Sequence, residues 1–173
     1  MSDQRSENVS HRFDRLPATD ADREVEGRAT REAVLEFWQE RFGIGPAVFE
    51  AYTFWERGNG KIWAFAGDLD SPVDIEALGV SFMRTRQEHW KPTTEAVQRF
   101  GGHATRNVIE LSRSEAEAFL AGYGQELDWD GDWGYLIASH EIAGESEPIG
   151  VGLYVHDELR SQIPKGRRRE FGE

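Results

Sequence analysis

The sequence predicts an α+β fold, a small mixed β barrel with two short helices that is preceded by a helix and a β-hairpin. From residue 73 onward, strand and helix patterns alternate and end in three successive strands, which favours a mixed barrel over a parallel sheet. Before residue 73, a helical pattern leads into two aromatic runs around a glycine-rich turn. With 173 residues, of which 38% are apolar, the chain can bury one core and a small accessory unit.

Two elements are predicted within residues 28–72. Residues 29–42 place apolar side chains at helical spacing, and Gly43 follows at the C-terminal cap position. Residues 51–67 contain two aromatic runs on either side of Asn59-Gly60, a dipeptide that favours tight hairpin turns. The sequence therefore predicts a helix and β-hairpin extension in this part of the chain.

Residues 73–169 carry the pattern of the barrel. LGVSFMRT alternates as a strand does, and Pro92 suits the first turn of a helix, TTEAVQRF, that ends at Gly101-Gly102. NVIEL is a short strand, and Ser112 with Glu115 forms a capping box for a second helix. WGYLIAS, PIGVGLYV and ELRSQ then predict three strands of a meander.

The two ends of the chain are predicted to lie outside these units. Residues 1–27 mix charged and small polar residues with few large apolar ones, which predicts a disordered arm, and residues 170–173 form a tail. No segment approaches the roughly 18 apolar residues of a membrane span, and the N-terminus lacks the apolar core of a signal peptide. We therefore expect a cytoplasmic protein with no membrane partner.

Residues that common catalytic and metal sites need are missing. The chain has no cysteine, which excludes disulfides, thiolate metal sites and cysteine nucleophiles. DWDGDWG begins like a calcium loop, but Trp133 and Ser139 stand where that loop needs a glycine and a bidentate acid. No histidine pair has zinc spacing, and GNGK lacks the rest of a phosphate-binding loop. We predict a non-catalytic protein with no cofactor and no metal.

Cations are few in this chain, but they are clustered. The net charge is -12, from 32 acidic and 20 basic residues. Half of the basic residues lie in two blocks, namely Arg84, Arg86, Lys91, Arg99 and Arg106, and Arg160, Lys165, Arg167, Arg168 and Arg169. Such clustering predicts a surface for an anion. Two alternatives stay open: Arg99 and Arg106 pair with nearby acids, or the second block is a solvated charge run that ends the fold.

The first block adjoins a predicted helix start. Lys91 and Pro92 lie there, where free backbone amides and the positive end of the helix dipole favour a phosphate. Thr93 and Thr94 add hydroxyl donors. Trp90 offers either a stacking face for a base or, more commonly for tryptophan, a buried ring.

Arginine is the default cation, since only Lys61, Lys91 and Lys165 are lysines. Few lysines and many acids resemble the proteins of extreme halophiles, the alternative being an ordinary acidic protein. In 1 M salt the Debye length falls to about 3 Å, which screens repulsion between acidic surface and anionic partner. The same salt removes most of the counterion-release affinity for nucleic acid, so contacts would rest on hydrogen bonds, stacking and shape.

Several of these segments together resemble a known family. KPTTEAVQRFGGHATRNVIEL, WGYLIA, PIGVGLY and LRSQIPKGRR are similar to the PUA-like RNA-binding domain at the C-terminus of Sun-family RNA (cytosine-5) methyltransferases, especially archaeal ones. The resemblance runs from about residue 75 to 168, and residues 29–70 look similar to the segment that accompanies this domain. It implies a PUA-like pseudo-barrel that holds structured RNA, with a helix and neighbouring strand ends against the phosphate backbone.

The resemblance and the cation blocks together give the candidate RNA-binding residues. They are Arg84, Arg86, Lys91, Pro92, Thr93, Thr94, Arg99, His103, Arg106, Arg160, Ser161, Gln162, Lys165 and Arg167. The resemblance does not extend to catalysis, because 173 residues leave no room for the family's methyltransferase domain and its chemistry requires a cysteine that this chain lacks. We expect that the chain alone does not transfer methyl groups.

The predicted function is that of a stand-alone PUA-like RNA-binding protein. It would bind structured rRNA or tRNA as a specificity or assembly factor for RNA modification, with a separate RNA methyltransferase or a ribosome assembly factor as a possible partner. The alternative is a protein-interaction adaptor that has lost RNA binding and docks through the hairpin aromatics Tyr52, Phe54, Trp55, Trp63 and Phe65. Exposure of alternate hairpin aromatics would favour the adaptor.

Overall fold

The computed structural model describes residues 11–169, which fold as two compact units. Among the described residues, the first unit consists of residues 11–40 and 44–91, and the second of residues 41–43 and 92–169. Each unit has its own sheet, one of the two sheets is a curled half-barrel, and three α-helices lie among the described residues. The predicted α+β class is confirmed.

The first unit is built on a six-stranded sheet with the order β4-β1-β2-β3-β5-β6. Its strands are β1 (Arg12–Arg15), β2 (Thr53–Arg57), β3 (Lys61–Phe65), β4 (Val73–Asp74), β5 (Val80–Arg84) and β6 (Lys91–Pro92). The pairs β1–β2, β1–β4, β2–β3 and β3–β5 are antiparallel. Strands β2 and β3 form the predicted hairpin, and Arg57 faces Lys61 across the turn that contains Asn59-Gly60.

Helix α1 (Arg31–Phe42) forms where the apolar spacing predicts it. The Thr30 hydroxyl caps its start by accepting a hydrogen bond of 3.1 Å from the backbone amide three residues on. Gly43, with a φ of 68°, follows its last residue, as predicted. Trp38 of the helix is fully buried, with its ring centroid 4.9 Å from that of Phe82 in β5. The helix therefore packs on the sheet through aromatic contacts.

Strand β1 corrects the predicted disordered arm. Residues 12–15 pair with β2 and with β4, and Phe13 is fully buried, with its ring edge-on to Trp63 at 5.6 Å. The segment has too few apolar residues to fold alone, but a sheet that already exists supplies both hydrogen-bond partners and a surface on which to bury Phe13. The remaining part of the predicted arm, residues 1–10, lies outside the described residues.

The second unit is built on a five-stranded sheet with the order β7-β9-β10-β11-β8. Its strands are β7 (Val108–Leu111), β8 (Gly124–Glu126), β9 (Gly134–Ile142), β10 (Glu145–Val155) and β11 (Glu158–Ser161). Strand β7 is parallel to β9, and the other pairs are antiparallel. The predicted meander of β9, β10 and β11 is confirmed, and β8 is an additional short strand on the β11 edge.

Two helices accompany this sheet, α2 (Thr94–Phe100) and α3 (Arg113–Leu120). The capping box at Ser112 and Glu115 forms as predicted at the start of α3. Phe119 of α3 enters the core of the unit, where it joins side chains from the strands. The core is formed by Ile109, Leu111, Ala116, Phe119, Leu136, Ala138, Ile149, Tyr154, Leu159 and Ile163.

The boundary between the units differs from the predicted one. Sequence analysis places residues 73–169 in one domain, but β5 pairs with β3 and the second unit begins after Lys91. The alternation in LGVSFMRT identifies a strand but not the sheet that it joins, because its partner lies far away in sequence. Pro92 also lies in β6 rather than in the first turn of α2, and Thr93 is the N-cap of that helix.

Candidate nucleic-acid interface

The two threonines at the start of helix α2, which the sequence predicts as hydroxyl donors to a phosphate, take part in the fold of the second unit. The Thr93 side chain accepts a hydrogen bond of 3.0 Å from the Ala96 amide, which caps the helix. Thr94 and Pro92 are buried. The side chains of Pro92 and Thr94 therefore do not lie at the surface. This segment supports α2, whose Arg99 side chain is exposed.

The second basic block lies directly against α2. The Arg167 guanidinium donates to the Glu95 carboxylate, and its other terminal nitrogen lies 3.2 Å from the Gln98 side-chain oxygen. Gln98 immediately precedes Arg99 in the helix. Segments about 70 residues apart in sequence thus meet in the second unit. The pairing with acids was left open for Arg99 and Arg106 of the first block, whereas the ion pair observed on α2 is that of Arg167 with Glu95.

The chain after β11 is held in place by a series of hydrogen bonds. The Ser161 hydroxyl donates to the Phe119 carbonyl at 2.7 Å, and the Ile163 amide donates to the Ser161 oxygen at 3.3 Å. Further along, the Arg168 Nε donates to the Ile163 carbonyl at 3.1 Å and the Arg169 amide to the Leu120 carbonyl at 2.8 Å. These bonds anchor the backbone from Ser161 through residue 169 to α3.

This anchoring presents a 3-10 turn, Lys165–Arg167, at the surface beside α2. Lys165 and Arg167 are exposed, and so are four other residues of the second unit that were predicted to bind RNA. These are Arg99, His103, Arg106 and Arg160. Arg160 pairs with Glu158 at 2.7 Å, and Gln162 is half-buried, with its side-chain amide donating to the Arg160 carbonyl at 3.2 Å.

Arg41 lies outside both blocks of cations. Its guanidinium donates twice to the Tyr135 carbonyl, at 2.9 Å from Nε and 2.7 Å from Nη2. Burial lowers the pKa of Arg41, and the nearby charge of Asp132 opposes that shift. Because its donors are used by a backbone carbonyl of β9, Arg41 stabilises the second unit and is not part of the exposed surface.

The remaining predicted cations, Arg84, Arg86 and Lys91, belong to the first unit. Arg84 and Arg86 are exposed, and Lys91 is half-buried. Burial lowers the pKa of Lys91, and the positive charge of Arg84 lowers it further. Arg84 stands directly opposite Lys61 on β3, a residue that sequence reasoning missed because only the register of β3 and β5 brings the two together.

The hairpin aromatics are buried or half-buried. Phe54 and Trp55 are buried in the first unit. Tyr52, Trp63 and Phe65 are half-buried, and Trp63 packs edge-on against Phe13. The exposure of alternate aromatics that would favour a protein-interaction adaptor is therefore not observed. Trp90 is also half-buried, with its ring 5.9 Å from that of Phe37.

Two kinds of feature are absent from residues 11–169. Within this range, no helix combines the length and the apolar character needed to cross a membrane. The same range contains no group of three or more His, Asp or Glu side chains placed to hold a metal ion.

Two families match different parts of this chain. Residues 1–79 match a family of unknown function (DUF7122), and residues 106–169 match the methyltransferase RsmF PUA domain. The second match and the strand and helix order identify residues 106–169 as a PUA-like domain of the kind found in Sun-family methyltransferases. Neither match includes residues 80–105, so the candidates from Arg84 to His103 lie outside both.

One curated relative is similar over a longer stretch. The chain is 22% identical over 110 residues to the ribosomal RNA small subunit methyltransferase F of Aeromonas salmonicida (strain A449). This stretch covers 62% of the chain and 22% of the relative, so the chain spans about a fifth of the length of that protein. The family match lies in the PUA domain, and the methyltransferase catalytic domain is not matched.

Proposed function

We propose that this chain is a PUA-like RNA-binding protein that binds structured RNA, rRNA or tRNA, as a specificity or assembly factor for RNA modification. The observation that carries the proposal is the PUA-like domain at residues 106–169, whose C-terminal turn, Lys165–Arg167, brings Arg167 against α2. A small-subunit rRNA is the first ligand to test, because the curated relative is named as a methyltransferase of that RNA.

In this proposal the exposed cations of the second unit contact the phosphate backbone. Arg99, Arg106, Lys165 and Arg167 supply positively charged donors, and the His103 ring and the Gln162 amide supply further polar groups. Such contacts position a protein on RNA without reading the bases. The surface pair of Arg167 with Glu95 holds the guanidinium in place at little energetic cost, since exposed ion pairs contribute roughly 0–1 kcal/mol.

The proposal assigns no chemistry to the chain itself. A cysteine nucleophile is absent from the sequence, and a methyltransferase that modifies the bound RNA would act as a separate partner. The proposal also places the protein in the cytoplasm of a halophilic archaeon, because of its few lysines and its net charge of -12. In such a cytosol the direct hydrogen bonds of arginine would contribute more than long-range attraction.

Crosslinking in cells followed by recovery of the bound RNA tests the proposal. We compare the wild type with Arg99→Gln/Lys165→Gln and with a control, Arg23→Gln/Arg113→Gln, which removes two exposed arginines that pair with neighbouring acids. The wild type and the control should recover structured RNA. The Arg99/Lys165 variant should recover about 30-fold less, because two charge-assisted contacts of roughly 1 kcal/mol each are lost.

The possible outcomes separate the function from the site. Recovery of no structured RNA above background by the wild type would reject the RNA-binding function. Equal recovery by the wild type and the Arg99/Lys165 variant would reject these residues as the contact surface and leave RNA binding in place.

A further inference from the structure

Two positively charged residues lie directly opposite each other in the first unit. Lys61 of β3 pairs in register with Arg84 of β5, so their side chains leave the sheet on the same face. Like charges in this position destabilise an antiparallel pair. Both side chains are exposed, and the repulsion is therefore a cost to folding that a bound anion would remove.

A third cation is held beside this pair by backbone packing. The Thr85 amide donates to the Gly60 carbonyl at 2.8 Å, which fixes the chain after β5 against the hairpin turn. A Cβ at Gly60 would lie 2.8 Å from the Arg86 backbone nitrogen, so the two segments touch. The Arg86 side chain therefore leaves the backbone beside the hairpin turn, next to Lys61.

A fourth cation comes from the edge of the same sheet. Strand β6, which contains Lys91, is the neighbour of β5. Burial lowers the pKa of Lys91, and the positive charge of Arg84 on the neighbouring strand lowers it further. The cluster, defined as Lys61, Arg84, Arg86 and Lys91, therefore contains two of the chain's three lysines.

Acidic neighbours do not explain this cluster. Within residues 11–169, no carboxylate forms a salt bridge with Lys61, Arg84 or Arg86. Other arginines of both units do form such pairs, and they are Arg12, Arg15, Arg23, Arg28, Arg113, Arg160 and Arg167. In a chain with 32 acids, three exposed cations that adjoin one another without an acid partner indicate an anion from outside the chain.

We infer that the first unit carries a second phosphate-binding site, in which Lys61, Arg84, Arg86 and Lys91 bind the sugar-phosphate backbone of an RNA. The inference rests on the proposed RNA-binding function and extends it from the PUA-like domain to the first unit. Arginine offers a planar fork of donors and lysine a mobile point charge, and phosphate oxygens accept from both. The site would add affinity independent of sequence, because it contacts phosphates rather than bases.

Binding measurements on the full-length protein test this inference. The probe is fragmented small-subunit rRNA, titrated at several KCl concentrations against the wild type, Lys61→Gln/Arg84→Gln, Arg99→Gln/Lys165→Gln and the control Arg23→Gln/Arg113→Gln. The Lys61/Arg84 variant should bind about tenfold more weakly at low salt than the control. Its plot of log affinity against log salt should be shallower by roughly 1 to 2, since each phosphate contact contributes about 0.7 to 0.9.

The melting temperature shows whether a weaker affinity has a structural cause. Removing two like charges that face each other should leave the Tm of Lys61→Gln/Arg84→Gln equal to or above that of the wild type. A lower Tm together with weaker RNA binding would mean that the pair stabilises the fold, and it would overturn the inference.

The remaining outcomes separate this inference from the proposed function. If the Lys61/Arg84 variant and the control bind with the same affinity and salt slope while the Arg99/Lys165 variant loses binding, the second site is refuted and the proposed function stands. If the wild type binds no RNA, both fail. If RNA binding is unchanged but a purified acidic protein binds the wild type and not the Lys61/Arg84 variant, the ligand is a protein and the RNA inference is refuted.

Discussion

Gly60 combines two requirements that only glycine meets. It has a φ of 80°, in the left-handed region, where other L-residues cost about 1–2 kcal/mol. It also touches the backbone of Arg86, because an added Cβ would lie 2.8 Å from the Arg86 nitrogen. The turn residue thus determines how closely Lys61 on β3 approaches the end of β5.

Gly60→Ala should destabilise the protein more than Gly58→Ala does. Gly58 also has a positive φ, 67°, but nothing lies within 4 Å of its Cβ position, so it isolates the conformational cost. We expect a loss of about 1 kcal/mol for Gly58→Ala and roughly 1–2 kcal/mol more for Gly60→Ala, because the backbone beside Gly60 has to move. Urea unfolding of both variants measures the difference, and equal losses would contradict the close contact with Arg86.

Arg167 shows how an acidic chain can orient a cation without burying it. Its guanidinium contacts Glu95 and Gln98 on one helix, and its side chain is 45% exposed. Solvent screens an ion pair at that exposure, so the pair adds little to stability. A phosphate could replace the carboxylate at a small cost, which reconciles the pair with the proposed RNA contact.

At the scale of elements, Ser161 joins β11 to α3. Its hydroxyl donates to the carbonyl of Phe119 near the end of the helix and accepts from the Ile163 amide. It is a second donor to the Phe119 carbonyl, which also accepts from the Gly122 amide at 3.0 Å at the end of the helix. Sequence analysis places Ser161 among the RNA contacts, whereas its hydrogen bonds assign it to the anchoring of the C-terminal turn.

Ser161→Ala separates these two roles. A structural hydroxyl predicts a loss of about 1–2 kcal/mol in the free energy of unfolding, because the Phe119 carbonyl and the Ile163 amide lose a partner. RNA affinity measured well below the Tm should change by less than about twofold relative to the matched control Ser114→Ala, an exposed serine of α3. Unchanged stability with a large loss of RNA binding would restore Ser161 to the contact surface.

Elements with local signals could be predicted from the sequence, and elements formed by distant pairing could not. The capping box at Ser112 and Glu115 and the helix end at Gly43 depend on residues within a few positions of each other, and both form as predicted. Strand β1 has no such signal, since it is stabilised by β2, about 40 residues away. The short strand at Lys91–Pro92 could not be predicted either, because a proline just before a helical pattern indicates the first turn of a helix.

The candidate site shows the same division. The two blocks of cations could be recognised in the sequence. Arg167 of the second block contacts α2, the helix that carries Arg99 of the first block. The pairing of Lys61 with Arg84 was not predictable, because the loop from β3 to β5 contains β4 and the pairing shifts register between Ile62 and Trp63. A shift of one residue exchanges the faces of a strand, so alternation alone could not place Lys61 beside Arg84.

At the scale of the whole molecule, the two units match two different families. The PUA-like match begins at residue 106, and the match to the family of unknown function ends at residue 79. The cluster in the first unit has Lys61 inside the latter match and Arg84, Arg86 and Lys91 outside both. The proposal of a phosphate site at this cluster therefore rests on the geometry of one sheet. If both proposed surfaces contact the same RNA molecule, their contributions to the affinity multiply.

The net charge of -12 gives the stability and the RNA affinity of this protein opposite dependences on salt. Repulsion within the acidic surface weakens as the Debye length falls from about 10 Å at 0.1 M to about 3 Å at 1 M, so the Tm should rise by several degrees over that range of KCl. RNA affinity should fall over the same range, because the counterions displaced from the RNA gain less entropy when they enter a more concentrated salt solution. Glu145→Gln/Glu147→Gln, which neutralises two exposed acids in β10, should raise the Tm at 0.1 M KCl and make its rise with salt shallower. Thermal melts and RNA titrations in the same buffers check both trends, and a Tm that stays flat or falls with KCl would contradict an adaptation to a salty cytosol.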